Sequence, residues 1–144
     1  MDFTVATQVA TAPDAVFPVF GEAAFVESLA PKPMGLDVVK IGLNLGDEIE
    51  VRFTGLGPRG PWISRIVELA IGSSITFVDR SEVLPWPFAT FEHHHGFEAT
   101  GTGTTIVDNP HFTTRPGIIG PFVWLFLRWS FGYRQRIYRR RFGA

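Results

Sequence analysis

The chain contains no cysteine. That removes a disulfide framework and thiolate chemistry from consideration. Net charge is nearly absent as well: 13 Lys and Arg against 14 Asp and Glu leave −1 at pH 7. So balanced a chain is a poor general nucleic-acid binder, because such binding draws on an excess of cations. No long apolar run is present. The most apolar stretch, Ile118 to Leu127, is too short to span a bilayer. The first residues, Met1-Asp2-Phe3-Thr4, have neither the basic nor the apolar part of a secretory leader, so a cytoplasmic location is expected. No repeat, low-complexity segment or linker interrupts the 144 residues, and one domain over 1–144 is the natural expectation.

Aromatic side chains, in contrast, are abundant. Hydrophobic residues make up 45% and charged residues 19%, a globular balance, and 14 residues are Phe. Rings at this density either fill a core or line an apolar pocket. Arginine is unevenly placed, with six between Arg128 and Arg141. Arg134, Arg136, Arg139, Arg140 and Arg141 fit either a solvated helix face or contact with anionic lipid headgroups or an acidic partner.

Periodicity divides the chain. Phe3 to Val9 alternates as a strand. Thr11-Ala12-Pro13-Asp14 opens a helix with Thr11 as its cap, and Pro18 and Gly21 break that helix into two short pieces ending before Pro31. Period two then predicts strands over Leu36 to Ile41 and Asp47 to Thr54, followed by a Gly- and Pro-rich loop, Gly55 to Pro61. Further strands are predicted over Trp62 to Ile71 and Ser74 to Arg80, before Pro85-Trp86-Pro87.

Phe88 to Ala99 and Gly103 to Arg115 form a hairpin. Gly101-Thr102 suits a two-residue type II′ turn, which makes paired residue numbers sum to 203. One face then carries Phe91, His93, His95, Phe97, Ile106, Asp108 and Phe112, and turns inward. The other carries Glu92, His94 and His111 and is solvated. His95 lies opposite Asp108, and the two are expected to touch. The pair suits a satisfied core contact, a polar anchor in a ligand cavity, or a proton-transfer dyad. His93-His94-His95 alternate in direction, so only His93 and His95 with Asp108, or Glu92, His94 and His111 outside, could share a metal; none is expected.

Ile119 to Phe142 reads as one long helix, Pro121 just inside its start. Its first half is apolar on nearly every side and therefore expects to be surrounded. Trp129, Tyr133 and Ile137 form the expected inward stripe of the second half.

The order and spacing of these motifs resemble the helix-grip superfamily, the START/Bet v 1-like (SRPBCC) proteins that include polyketide cyclases and coenzyme Q-binding proteins. The matching residues are Phe91-Glu92-His93-His94-His95-Gly96-Phe97, then Thr104, Ile106, Asp108, Phe112, Pro116 and Gly117, then Phe131-Gly132-Tyr133-Arg134. Phe91 stands where Trp is frequent, and Pro110 interrupts the last strand with an expected bulge. The resemblance implies an α+β fold, a curved antiparallel sheet of about seven strands around a long C-terminal helix. It also implies a cavity for an apolar small molecule such as a lipid, polyketide or isoprenoid. The expected lining is Phe53, Phe77, Phe91, Phe97, Phe112, Phe126, Trp129 and Tyr133, with His93, His95 and Asp108 as anchors and no cofactor. Two other readings stay open: a cyclase or dehydratase using His95 and Asp108, and an interaction protein acting through its basic helix.

Overall fold

The computed structural model describes residues 1–117 and 119–144. Ile118, the first residue of the apolar run, lies outside the described residues. The chain runs through β1 (Val5–Val9), α1 (Pro13–Val16), a 3-10 turn (Phe17–Gly21) and α2 (Ala23–Ser28). It continues through β2 (Leu36–Lys40), β3 (Glu48–Phe53), β4 (Trp62–Ile71), β5 (Ile75–Val83), β6 (Phe88–Ala99), β7 (Thr104–Thr114) and α3 (Gly120–Phe142). All seven strands form one antiparallel sheet in the order β1-β7-β6-β5-β4-β3-β2. The sheet curls around α3, whose 23 residues run roughly 35 Å. This is the helix-grip α+β fold.

Local chemistry explains most of the elements. Pro18 and Gly21 keep the segment after α1 in the tighter 3-10 form. Thr11 does not cap α1: the N-cap is Ala12, without a side-chain bond. The Thr11 hydroxyl instead donates to the Phe142 carbonyl at 2.7 Å, tying the exit of β1 to the end of α3.

The final hairpin has the expected register, with His95 opposite Asp108, Phe97 opposite Ile106 and Phe91 opposite Phe112. The turn that sets it differs. Gly101 lacks the positive φ that a type II′ turn requires, and the Thr100 N–H closes the loop onto the Gly103 carbonyl. Gly103 is needed for another reason: a Cβ there would collide with the Val9 carbonyl and the backbone of Ala10. Pro110 causes no bulge, since it pairs in register with His93. It sits between Asp108, paired with Val5, and His111, bridged to Asp2, and there the Asn109 side-chain amide donates to the Phe3 carbonyl at 2.7 Å, a bond the proline nitrogen cannot make. The irregularity falls at Phe88–Thr90 instead.

Two apolar clusters fill the grip. One gathers Val16, Phe20, Phe25, Phe77, Phe97, Ile106, Tyr138 and Phe142; the other gathers Phe3, Trp62, Phe88, Phe91, Phe112, Val123, Leu127 and Phe131. Full burial of one such ring contributes roughly 2–3 kcal/mol. A polar belt crosses the concave face between them. On each inner strand it falls between a residue of one cluster and a residue of the other: Ser64 between Ile66 and Trp62 on β4, His95 and His93 between Phe97 and Phe91 on β6, and Asp108 between Ile106 and Phe112 on β7. On β5, Asp79 follows Phe77 in the same way.

The face that α3 presents to the sheet corrects the sequence reading. Its buried residues include Val123, Leu127, Phe131, Tyr138 and Phe142, spaced as one helical stripe. Trp129 is exposed, and Tyr133 and Ile137 flank the stripe half-buried. The first half of α3 is not surrounded either, since Phe122 is 64% and Leu125 60% exposed. With both sides of that half apolar, hydrophobicity alone does not choose the inward face. Asp108 does so, because only the face bearing Tyr138 and Arg134 supplies its donors.

Candidate ligand-binding site

The belt borders a cavity of about 160 Å³ between the sheet and α3. Apolar walls come from Phe53, Trp62, Phe77, Phe91, Leu127 and Phe131, with Phe20, Leu29 and Met34 of the helical segment closing one side. Ser64, Asp79, His93, His95, Ser130 and Arg134 supply the polar wall.

His95 and Asp108 face each other in the backbone register, yet their side chains do not pair. His93 Nε2–H donates to Asp108 Oδ1 at 3.0 Å, and His95 Nε2–H to Asp79 Oδ2 at 2.6 Å. Asp79 is the register partner of His93, so both bonds run diagonally across the sheet. The reason is reach. An imidazole carries Nε2 well beyond its own Cβ, overshoots the directly opposed residue and meets the diagonal one, about 7–8 Å away. Sheet twist brings one diagonal closer than the other. The two imidazoles stack with centroids 3.6 Å apart, and Phe77 stacks on the other face of His95 at 4.0 Å.

Asp108, 1% exposed, is the most heavily bonded group of the belt. Besides His93 it accepts from the Tyr138 hydroxyl at 2.8 Å and lies 3.5 Å from Arg134 Nη1. Burial opposes its ionisation, but the His93 hydrogen bond and the Arg134 charge outweigh that and hold its carboxyl below the ordinary range. Asp79 follows the same logic through His95. Burial drives the His93 imidazole the other way, down to about 4, with His95 adding to the effect and Asp108 opposing it. His93 is therefore neutral at pH 7. Burial, then the Asp108 charge, raises the Tyr138 phenol, which stays a donor.

Two buried polar atoms of the belt find no protein partner: His95 Nδ1 and Arg134 Nε. Such groups cost about 1–3 kcal/mol each when left unmet. With Nε2–H given to Asp79, Nδ1 of a neutral His95 is a free acceptor, and Arg134 Nε–H is a free donor. The Arg134 guanidinium lies over the Phe131 ring, 4.0 Å from its centroid.

A metal fits this arrangement poorly. Donor atoms of Asp79, His93 and His95 lie within 4.8 Å of one another, so Asp79 replaces Asp108 in the sequence-derived set. The imidazole planes are only 28° apart and stacked, however, so their in-plane lone pairs run side by side rather than converging. Outside, Glu92, His94 and His111 form no such donor cluster among the described residues: His94 bonds Glu92 at 2.8 Å and His111 bonds Asn109 at 2.7 Å, although the two imidazoles lie 4.7 Å apart, edge to face.

Of the residues expected at the site, Phe53, Phe77, Phe91, His93 and His95 line the cavity. Phe97, Phe112 and Asp108 are buried in the layer behind it, and Phe126, Trp129 and Tyr133 face away from it. Among the arginines proposed for an outside partner, Arg134 turns inward to the belt, and Arg141 lies 3.4 Å from Glu22. Sequence reasoning missed Asp79, Ser64, Ser130 and Arg134. For Ser64 and Asp79 the signal was there: polar residues at inward positions of β4 and β5, each two residues from a large apolar one.

No model of a known protein family matches the sequence, and no curated protein matches it. Solved structures do. A START superfamily protein from Mycobacterium smegmatis aligns with TM-score 0.69 and 13% identity over 99% of this chain and 95% of that one. The Zhui aromatase/cyclase from Streptomyces sp. R1128 aligns with TM-score 0.70 and 14% identity over 95% and 88%. A norcoclaurine synthase point mutant from Thalictrum flavum, in complex with a transition-state analogue, aligns with TM-score 0.67 and 12% identity over 98% and 96%. At these identities the likeness concerns the fold. The chain thus has the START/Bet v 1-like fold expected from its motifs.

Proposed function

From that fold and the belt within it, we propose that the chain binds a small, mainly apolar molecule between sheet and α3, the molecule's polar end against His95 and Arg134. The observation carrying this reading is a pair of unmet buried groups, one acceptor and one donor, in two residues that line the polar side of a cavity whose remaining walls are apolar. A hydroxyl group on the ligand would satisfy both, donating to His95 Nδ1 and accepting from Arg134 Nε–H. Volume narrows the lipid, polyketide or isoprenoid class to a compact part. An apolar cavity of about 150 Å³ takes a benzene-sized guest, so about 160 Å³ suits one ring or a short branched chain.

A second reading has its own observation. Asp79 holds His95 at 2.6 Å and leaves Nδ1 free to take a proton, while Arg134 stands ready to stabilise an oxyanion. That is the equipment of a cyclase or dehydratase, and the Zhui neighbour is named an aromatase/cyclase. In this reading Asp79 orients His95, and Asp108 supports the belt through His93 and Tyr138.

Native mass spectrometry of freshly purified protein tests the binding reading. We expect one co-purified apolar compound per chain, absent from Ser130→Phe, which fills the cavity. A wild-type chain that carries nothing and takes up no phenol overturns the proposal. If turnover of a bound polyketone falls with His95→Ala, the second reading replaces the first.

A further inference from the structure

The first half of α3 leaves an apolar face in solvent that the cavity does not use. Phe122, Leu125 and Trp129 are 64%, 60% and 52% exposed and share one side of the helix. Two loops extend the patch. Leu56 in the β3–β4 loop is 72% exposed, and Trp86 between β5 and β6 is 65% exposed. A groove of about 420 Å³ joins them, bringing Pro58, Arg59, Trp86, Phe122 and Phe126 around one space. Apolar patches of this kind mark a contact surface.

Charge decides what the surface meets. No Asp or Glu follows Asp108, while seven Arg lie between Arg115 and Arg141. Continuing the outer face of α3 by helical spacing leads from Phe122, Leu125 and Trp129 to Arg136 and Arg140, with Arg139 beside them, all exposed. Among the described residues, no ion pair holds Arg128, Arg136, Arg139 or Arg140. One helix face thus passes from apolar to cationic, with Trp129 between.

We propose that this face docks on an anionic lipid bilayer, with Phe122, Leu125, Trp129 and Trp86 dipping into the interface and the outer arginines of α3 lying over the headgroups. Interfacial helices combine buried aromatic or aliphatic residues with basic ones in this way, and Trp favours the headgroup level. Headgroup anions balance the uncompensated arginines. A second copy packed through the same face would not balance them, since that face brings the same arginines. No described helix is long and apolar enough to cross the membrane, so the contact is peripheral.

Flotation with vesicles tests this, comparing phosphatidylcholine alone with phosphatidylcholine plus phosphatidylglycerol, at low and high salt. The protein is expected to float with the anionic vesicles at low salt only, and brominated lipid should quench its tryptophan emission. Phe122→Ser/Leu125→Ser/Trp129→Ser should abolish flotation. Arg136→Glu/Arg140→Glu should weaken it roughly tenfold or more. All five substituted residues are exposed, and circular dichroism checks that each variant folds. Absence of wild-type flotation at low salt overturns the proposal, as does flotation unchanged in both variants. So does a concentration-dependent dimer that the triple variant abolishes and vesicles do not dissociate. Uptake of phenol by folded protein in the absence of vesicles reports on the cavity alone, so the two proposals fail separately.

Discussion

Acidification should destabilise the protein through His93 before any carboxylate is protonated. The folded imidazole titrates at about 4, against 6.5 for the free side chain. A histidine whose folded pKa is lowered contributes stability that is complete above the unfolded value and lost as pH falls toward the folded one. In this window the unfolded chain binds a proton that the native chain refuses. A gap of about 2.5 pH units at 1.36 kcal/mol each is worth roughly 3 kcal/mol, a large part of a small protein's stability. The lowered carboxyls of Asp79 and Asp108 act in the same direction but at lower pH: their contribution holds above the unfolded value near 3.8 and fades below it. Urea unfolding followed at steps from pH 7 to 4.5 isolates the His93 part, with His93→Gln as reference. Glutamine can still donate to Asp108 and does not titrate. The wild type should lose stability steeply between pH 6.5 and 4.5, and the variant markedly less. Equal slopes, or an NMR midpoint for the His93 ring near 6.5, refute the reasoning.

Double-mutant cycles should find strong coupling for His93→Ala with Asp108→Ala and for His95→Ala with Asp79→Ala, about 1–3 kcal/mol each. The directly opposed combination, His95→Ala with Asp108→Ala, should couple less, and the reverse ranking would reject the diagonal pairing. Tyr138→Phe removes a donor from Asp108 without opening a cavity and should cost about 1–3 kcal/mol in chemical denaturation; a neutral result would mean that water reaches the carboxylate. Gly103→Ala should cost roughly 2 kcal/mol or more by the same assay, because backbone cannot retreat from the added Cβ; an unchanged midpoint would place the end of β1 elsewhere.

The sheet was largely legible because period two is a local signal. Phe97 and Ile106, or Phe91 and Phe112, alternate with polar residues along one hairpin, and the loop length sets their pairing. Which carboxylate each histidine takes was not legible, because it depends on Asp79 in a strand beyond the hairpin. The rotation of α3 was hidden for a different reason. Val123, Leu127 and Phe131 compete with Phe122, Leu125 and Trp129 for the inside, and the two stripes are about equally apolar. Arg134 read as one more surface cation among six, and only its place beside Asp108 on the folded sheet gives it another role.

The account rests on a cavity whose polar wall waits for a partner. Titrating folded, isotope-labelled protein with phenol, and following the His95 ring and the Arg134 Nε–H by NMR, tests this directly. The account predicts one saturable site per chain, shifts concentrated on His95 Nδ1 and Arg134 Nε, and loss of both in Ser130→Phe. No saturable binding, or binding that leaves these two groups unmoved and survives Ser130→Phe, would contradict it.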